Sequence, residues 1–288
     1  IKSSAASDVY KRQIKMSECT HDCSSCGESC ASRKQDKKDF LKPMNKYSNI
    51  KKVIGIVSGK GGVGKSLVSC LLASKCAKAG LKVGILDADI TGPSVPKSFG
   101  INERAMQDEE CLLPAVTNEG IKLMSINLLL DDVNSPVVWR GPVISGVVEQ
   151  FWSDVRWGEL DYLFVDMPPG TGDVALTVFQ SLPIDGIVIV STPQDLVKMI
   201  VNKAYNMANM MNVPVLGLIE NMSYYVCPNC NEKINIFGKS KIDETAVELG
   251  VPVLAKLPIN PEINVLVDEG RISEIEANEL DDFVELLK

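Results

Sequence analysis

The residues from Gly59 to Ser66 form a pattern suited to binding phosphate. Their sequence, GKGGVGKS, matches G-x-x-x-x-G-K-[ST] in full and lies between a predicted strand (52–58) and a predicted helix (65–79). In this setting glycines let backbone N–H groups surround phosphate oxygens, and the helix N-terminus adds a partial positive charge. Lys65 would neutralise the β- and γ-phosphates of ATP, and Ser66 would ligate Mg²⁺. We therefore predict an ATP and Mg²⁺ site, with a merely flexible glycine turn as the alternative.

Acidic residues follow two further predicted strands. Asp87 and Asp89 come after a segment at 82–86, and Asp166 comes after one at 162–165. The carboxyl ends of parallel strands meet at one edge of a sheet, where ligands bind in such folds. An apolar strand that ends in Asp is typical of a Walker B motif, whose carboxylate holds Mg²⁺ directly or through water. The alternative is that these acids cap helices or form turns.

Cys227 and Cys230 form a C-x-x-C pair. Two thiolates at this spacing bind one metal, but a tetrahedral zinc or a four-iron cluster takes four protein ligands. The pair is therefore half of a site. A two-fold symmetric dimer would supply the other half, and the N-terminal cysteines of the same chain are an alternative source. Spacing alone leaves zinc and iron-sulfur open, because thiolates suit both.

A second group of cysteines lies near the N-terminus. Its members are Cys19, Cys23, Cys26 and Cys30. These thiolates are enough for one metal centre, so an iron-sulfur cluster, zinc and no bound metal are three open interpretations. His21 is a further candidate ligand, with a solvated side chain as the alternative. Cys70 and Cys76 lie on the helix after the glycine-rich loop and are predicted to be small buried side chains.

The body of the chain alternates between predicted strands and helices. Further strands are predicted at 186–190, 215–219 and 253–257, and helices at 143–152, 174–181, 195–210 and 240–249. This alternation predicts an α/β fold, a P-loop NTPase with a mostly parallel, doubly wound sheet flanked by helices. A small β-hairpin insertion is predicted within 111–126, and an acidic helix over 274–288.

Composition divides the chain into four segments. Residues 1–15 differ from the rest and precede a Met-Ser-Glu sequence like a natural start, so we interpret them as a non-native leader. Residues 16–32 form a cysteine-rich metal-binding segment, 33–50 a polar linker and 51–288 the P-loop ATPase domain.

Bulk properties disfavour some function classes. The net charge of -7 gives no overall attraction to nucleic acid or to anionic lipid. The sequence has no apolar run of the roughly 18 residues that a membrane-spanning helix needs. Nine cysteines without a signal peptide are typical of a reducing compartment. We predict a cytoplasmic protein that binds neither nucleic acid nor membrane.

Six ordered segments together resemble one known family. They are GKGGVGKS (59–66), DADITGPS (87–94), WRGP (139–142), DMPPGTGD (166–173), STPQD (191–195) and IENMSYYVCPNC (219–230). They are similar to the Mrp/ApbC family of iron-sulfur cluster carrier ATPases, which belongs to the MinD/nitrogenase-reductase superfamily of deviant Walker A P-loop NTPases. Lys60 matches the signature lysine of that superfamily, which reaches across a dimer interface to the partner's nucleotide.

The resemblance implies roles for individual residues. Asp89 would orient the attacking water, Gly170 would respond to the γ-phosphate, and Asn221 would contact adenine. Cys227 and Cys230 would bind a labile [4Fe-4S] cluster that bridges two subunits. The implied nucleotide-binding residues are Gly59, Lys60, Gly61, Gly62, Val63, Gly64, Lys65, Ser66, Leu67, Gly170 and Asn221. The implied catalytic residues are Lys60, Lys65, Asp89 and Asp166.

We therefore predict a slow, homodimeric ATPase that transfers an iron-sulfur cluster to apoproteins. Scaffold and acceptor apoproteins are the implied partners. One alternative is a positioning ATPase of the MinD/ParA type, which the acidic segment 274–288 disfavours because such proteins use a basic helix to hold membrane. Another is a zinc-stabilised regulatory ATPase. A nitrogenase-reductase-like electron donor is disfavoured because its cluster cysteines lie in separate sequence regions.

Overall fold

A computed structural model describes residues 41–90, 92, 94–130, 141–194 and 197–288. The predicted leader and cysteine-rich segment lie outside the described residues, and with them His21 and all four N-terminal cysteines. Parts of the WRGP and STPQD segments also lie outside them.

The centre of the fold is a mostly parallel β-sheet. The strands are β1 (Ser48–Ser58), β2 (Val83–Asp87), β3 (Met106–Gln107), β4 (Leu112–Leu113), β5 (Ala115–Val116), β6 (Lys122–Met124), β7 (Gly158–Asp166), β8 (Gly186–Ser191), β9 (Val215–Val226), β10 (Lys233–Ile234) and β11 (Val253–Ile259). The sheet follows the order β9-β8-β1-β7-β2-β6-β5, and β9 also pairs with β11 in parallel and with β10 in antiparallel orientation. Strands β3 and β4 form a separate antiparallel pair.

Helices connect and cover these strands. They are α1 (Lys65–Lys78), α2 (Val95–Ser98), α3 (Gly141–Ser153), α4 (Asp173–Ser181), α5 (Val197–Met210), α6 (Ile242–Leu249), α7 (Pro261–Asp268) and α8 (Asp281–Leu287). Short 3-10 helices lie at Ile126–Leu128, Ile272–Glu274 and Asn278–Leu280.

Strand β1 is buried on both faces from Val53 to Ser58, as its apolar sequence predicts. Its side chains alternate between two hydrophobic clusters. Val53 joins the cluster that contains Phe179 of α4, and Ile54 joins the cluster that contains Leu72 of α1. The sheet therefore has helices packed on both faces, and the predicted doubly wound fold is confirmed.

The small hairpin predicted within 111–126 is present as β5 and β6. These strands pair in antiparallel register, and Gly120 takes a φ of 81° in the turn between them. The predicted burial of two cysteines on α1 is also confirmed, since Cys70 and Cys76 are both fully buried. Within the described residues, no helix has the length and hydropathy needed to cross a bilayer.

Several predicted boundaries need correction. The helix predicted over 274–288 is wrong in its first half, because α8 begins only at Asp281 and Ala277 takes a left-handed φ of 42°. Strand β9 runs seven residues beyond its predicted end, to Val226. Residues 48–50, which we assigned to the linker, pair with β7 as the start of β1.

Candidate functional site

The glycine-rich loop joins β1 to α1 at the carboxyl edge of the sheet. Gly64 caps α1 with a φ of 80°, a left-handed conformation that favours glycine. A Cβ atom at Gly64 would lie 2.1 Å from Nδ2 of Asn221. That nitrogen donates a hydrogen bond of 2.9 Å to the Val63 carbonyl oxygen. The middle of β9 is therefore packed directly against the phosphate-binding loop.

Lys65 and Asp166 form a buried ion pair at the start of α1. The Lys65 ammonium lies 2.8 Å from Oδ1 of Asp166 and 3.6 Å from Oδ2 of Asp89. Ser66 Oγ donates to Asp166 Oδ2 at 2.6 Å, and Ser69 Oγ donates to Oδ1 at 2.7 Å. The structure therefore brings the predicted loop lysine, the Mg²⁺ ligand and both predicted catalytic acids into one cluster.

Asp87 lies beside this cluster at the end of β2. Its carboxylate accepts hydrogen bonds from Ser125 Oγ at 2.9 Å and from the Asp89 backbone N–H at 3.1 Å. Burial, followed by the nearby charge of Asp166, raises the pKa of Asp87 well above its ordinary value. Asp87 thus holds the backbone of Asp89 in place, a role consistent with the turn-forming alternative for this residue.

Two cavities adjoin along α1. One, of about 350 Å³, is lined by the loop glycines, by Lys65, Ser66 and Asp89, and by Pro169. Its exposed N–H groups and lysine suit phosphates. The second, of about 360 Å³, is lined by Asn221 together with apolar and acidic side chains from β11, α7 and the C-terminal segment. Leu67 lines both cavities, so the two spaces are adjacent.

Two predicted site residues have partners within the chain. Lys60 Nζ donates to Oε1 of Gln194, and so points to the end of β8. The Gly170 N–H donates to the Ser58 carbonyl oxygen at 2.9 Å. The φ of 85° at Gly170 is a left-handed conformation that favours glycine. The hydrogen bond from Gly170 fastens the loop after β7 to the end of β1.

Cys227 and Cys230 lie at the turn between β9 and β10. We call residues 225–234 the cysteine hairpin. The Cys227 N–H donates to the Glu232 carbonyl oxygen at 3.0 Å, and the Asn231 N–H donates to the Cys227 carbonyl oxygen at 2.9 Å. Asn231 is left-handed, with a φ of 59°. These backbone bonds form a tight turn that presents the two thiols from one end of the sheet.

The environment of Cys227 favours its thiolate form. Cys227 is half-buried and Cys230 is exposed. Hydrogen bonds from the Asn229 and Cys230 backbone N–H groups lower the pKa of Cys227, which promotes the thiolate form that binds metals. Among the described residues no group of three or more His, Cys, Asp or Glu side chains is placed to hold a metal. The pair is thus incomplete within the described part of one chain.

Comparison with known proteins decides the family. A sequence profile described as "NUBPL iron-transfer P-loop NTPase", of the ParA group, matches residues 49–286. This chain belongs to that family. The resemblance to iron-sulfur carrier ATPases is therefore confirmed, and so is the P-loop NTPase fold.

Several relatives of this NUBPL-family chain are similar over most of their length. One, named "iron-sulfur cluster carrier protein" from Clostridium perfringens, is 48% identical and covers 88% of this chain and 94% of the relative. A mitochondrial protein from Arabidopsis thaliana, named "iron-sulfur protein required for NADH dehydrogenase", is 44% identical over 77% of this chain and 71% of its own length.

A similar solved structure contains a bound nucleotide. It is a nucleotide-binding protein from Archaeoglobus fulgidus in complex with ADP, 45% identical, with a TM-score of 0.74 over 82% of this chain and 92% of the other. The MinD cell division ATPase of Pyrococcus furiosus has a TM-score of 0.58, covers 82% of this chain and 97% of its own, and is only 19% identical. That likeness shows the fold alone, so the positioning-ATPase alternative has less support.

Sequence reasoning missed several residues in the nucleotide site and one beside it. Ser69 and Ser125 bind the buried carboxylates, and Gln194 binds Lys60. Glu220, which is fully buried, lies next to Asn221. A polar residue within an apolar strand is a sequence feature that could have identified Glu220, which interrupts the apolar run of β9.

Proposed function

We propose that this chain binds and hydrolyses ATP and carries a labile [4Fe-4S] cluster to acceptor proteins. The observation that carries the proposal is the accessible pair Cys227 and Cys230 in a chain of the iron-transfer NTPase family. Iron-sulfur clusters are held by cysteine thiolates, and a four-iron cluster takes four of them. Two copies of this chain, each contributing one pair, supply that number.

The surface around the thiols supports a homodimer. Apolar side chains on and just beyond the cysteine hairpin are exposed: Val226, Ile234, Ile236 and Phe237. Exposed apolar residues grouped around a functional site are typical of a protein interface. A two-fold axis through this surface would bring identical cysteine pairs together, because an isologous interface uses the same patch on both copies.

The buried cluster at the loop supports ATP hydrolysis. Ser66 Oγ and the Asp166 carboxylate are oxygen donors of the kind that Mg²⁺ prefers, so these residues would hold the ion, which would neutralise phosphate charge. Lys65 would bind the β- and γ-phosphates, and Asp89 would orient a water for attack on the γ-phosphorus. That attack breaks the bond to the bridging oxygen and releases ADP and inorganic phosphate, with a proton passing to solvent.

Lys60 and the nucleotide would link hydrolysis to the dimer. When two copies meet, Lys60 would exchange Gln194 for the nucleotide of the partner subunit. ATP would then change how the two subunits meet and so the spacing between their cysteine pairs, and hydrolysis would release the cluster to an acceptor. Free thiols at this surface are maintained in a reducing compartment such as the cytoplasm.

Replacement of Cys227 by serine tests the proposal. In a background where the four N-terminal cysteines are serine, the chain should bind iron and sulfide anaerobically and absorb broadly near 400 nm, roughly as thiolate-bound clusters do. It should restore activity to the apo-form of a [4Fe-4S] enzyme used as the probe. Cys227→Ser should lose both properties and retain ADP binding.

Cys76→Ala is the matched control, because Cys76 is buried on α1 and is expected to leave iron binding unchanged. A colourless protein with stoichiometric zinc at this pair would contradict the proposal and favour the regulatory alternative. So would iron content that is equal in Cys227→Ser and in the parent.

A further inference from the structure

Glu220 is a buried carboxylate that takes no part in the nucleotide binding and hydrolysis proposed above. It is fully buried within β9, one residue before Asn221. Its partners are two hydroxyls: Ser223 Oγ donates to Oε2 and Ser240 Oγ donates to Oε1, both at 2.6 Å. No lysine or arginine of the described ranges forms an ion pair with it. A buried carboxylate without a cation is costly to maintain, so its contacts are expected to serve a purpose beyond packing.

The two serines lie on either side of the cysteine hairpin along the chain. Ser223 precedes the hairpin on β9, and Ser240 follows β10 at the start of α6, where its Oγ also accepts the Ile242 N–H at 3.1 Å. One carboxylate therefore ties together the two chain segments that lead into and out of the turn with Cys227. Because both bonds go to a single rigid group, moving Glu220 moves the base of the hairpin.

The neighbour of Glu220 contacts the nucleotide loop. Asn221 Nδ2 bonds to the Val63 carbonyl oxygen, and Asn221 Oδ1 accepts the Met222 N–H at 3.0 Å. Met222 has a φ of 58°, a left-handed conformation that is strained for a residue with a Cβ atom. Such a conformation persists only where anchors on both sides fix it. Here Asn221, on the N-terminal side of Met222, bonds to the loop, and Ser223, on its C-terminal side, bonds to Glu220.

We infer that Glu220 is a positioning residue that couples the nucleotide site to the cysteine pair. A change at Val63 and Gly64 on nucleotide binding passes through Asn221 to the strained backbone, and Glu220 carries it to both ends of the cysteine hairpin. This inference rests on the proposed function for its purpose, because it concerns delivery of a cluster. The inference predicts a coupling between the nucleotide site and the cysteine pair, and this coupling can be measured in the protein without iron.

The test is alkylation of the full-length apo-protein, with the Cys227 peptide followed by mass spectrometry. With Mg·ADP, at concentrations where light scattering gives one mass with and without nucleotide, alkylation of Cys227 should slow by about five-fold or more. In Glu220→Ala and Ser240→Ala the ratio of rates should fall to about one, while ADP affinity stays within about two-fold. Glu220→Gln keeps an acceptor for one serine and should retain part of the effect.

Ser74→Ala is the control, since Ser74 is a buried serine of α1 whose hydroxyl has no partner among the described residues. A full ADP effect in Glu220→Ala or in Ser240→Ala would overturn the inference, and so would no ADP effect in the wild type. Circular dichroism on the milder Ser240→Ala separates lost coupling from lost folding. If the wild type shows the coupling but binds no iron, the proposed function fails and the role of Glu220 stands.

Discussion

The nucleotide site and the cysteine hairpin differ in how many of their interacting groups are supplied by the described part of one chain. At the nucleotide site, Lys65 and Asp166 are almost fully buried, and their charges are neutralised by each other and by hydroxyl donors. At the hairpin, Cys230 is exposed and the described residues offer only a pair of thiols. The first arrangement is formed within one chain, whereas a metal centre of four thiolates at the second would need ligands from outside the described residues.

This contrast predicts how the two regions respond to amino-acid substitution. A buried, fully bonded site is expected to tolerate little substitution, because removing one partner leaves a charge without compensation. Substitution of the cysteine pair on its short hairpin is expected to leave folding intact but to prevent metal binding. Stability and cargo binding should therefore respond to different mutations.

The largest effect should come from Lys65→Ala. Loss of this ammonium removes the group proposed to bind the β- and γ-phosphates, so we expect ATP hydrolysis to fall about a hundred-fold or more. The variant should also unfold at lower temperature, because breaking a buried ion pair costs about 3–5 kcal/mol. Steady-state phosphate release and thermal unfolding measure the two effects.

The matched control for that variant is Lys51→Ala. Lys51 lies 2.7 Å from Asp161 but is 68% exposed, and such surface pairs contribute about 0–1 kcal/mol. Hydrolysis in Lys65→Ala above about a tenth of the wild-type rate would show that the loop lysine is not central to catalysis.

An intermediate effect is expected from Phe237→Ser. Phe237 is 42% exposed beyond the cysteine hairpin, and loss of an aromatic anchor from an interface costs about 2 kcal/mol, equal to roughly thirty-fold in dimer affinity. The unfolding free energy of the monomer should change by no more than about 0.5 kcal/mol. Sedimentation equilibrium with bound nucleotide measures the dimer.

Leu286→Ser controls for a general loss of apolar surface, since Leu286 is exposed on α8. Equal dimer affinity in Phe237→Ser and the wild type would place the subunit interface away from the cysteine hairpin. The shared-cluster proposal would then lose its geometric basis.

The smallest effect is a difference in thiol titration. Backbone N–H groups lower the pKa of Cys227, whereas burial raises the pKa of Cys76 to about 12. Because the Cys227 thiolate is favoured in the folded state, its alkylation should fall off at lower pH than alkylation of the same residue in the urea-unfolded chain. Cys76 should stay unreactive throughout in the folded protein. Mass spectrometry of each peptide against pH checks both, and identical profiles for folded and unfolded Cys227 would contradict the assignment.

Local patterns were sufficient for the phosphate-binding loop and for the fold class. The loop from Gly59 to Ser66 is recognisable in the sequence because phosphate binding depends on glycines and a lysine at fixed spacing. The strands next to it are buried on both faces, so their apolar runs are continuous and easily recognised. Strand β9 was predicted seven residues too short because Glu220, Asn221 and Ser223 break its apolar run. Asn221 bonds to Val63 and Glu220 accepts a bond from Ser240, and no local pattern records such partners.

The sequence by itself predicted a phosphate-binding loop and a pair of thiols suited to a metal, because both depend on residue types at short spacing. Only the tertiary structure decided that Asn221 contacts the glycine-rich loop and that Glu220 joins both ends of the cysteine hairpin. Those contacts link residues far apart in the chain, with Asn221 and Val63 separated by 158 positions. Strand order and burial bring them together, and both are properties of the packed sheet as a whole.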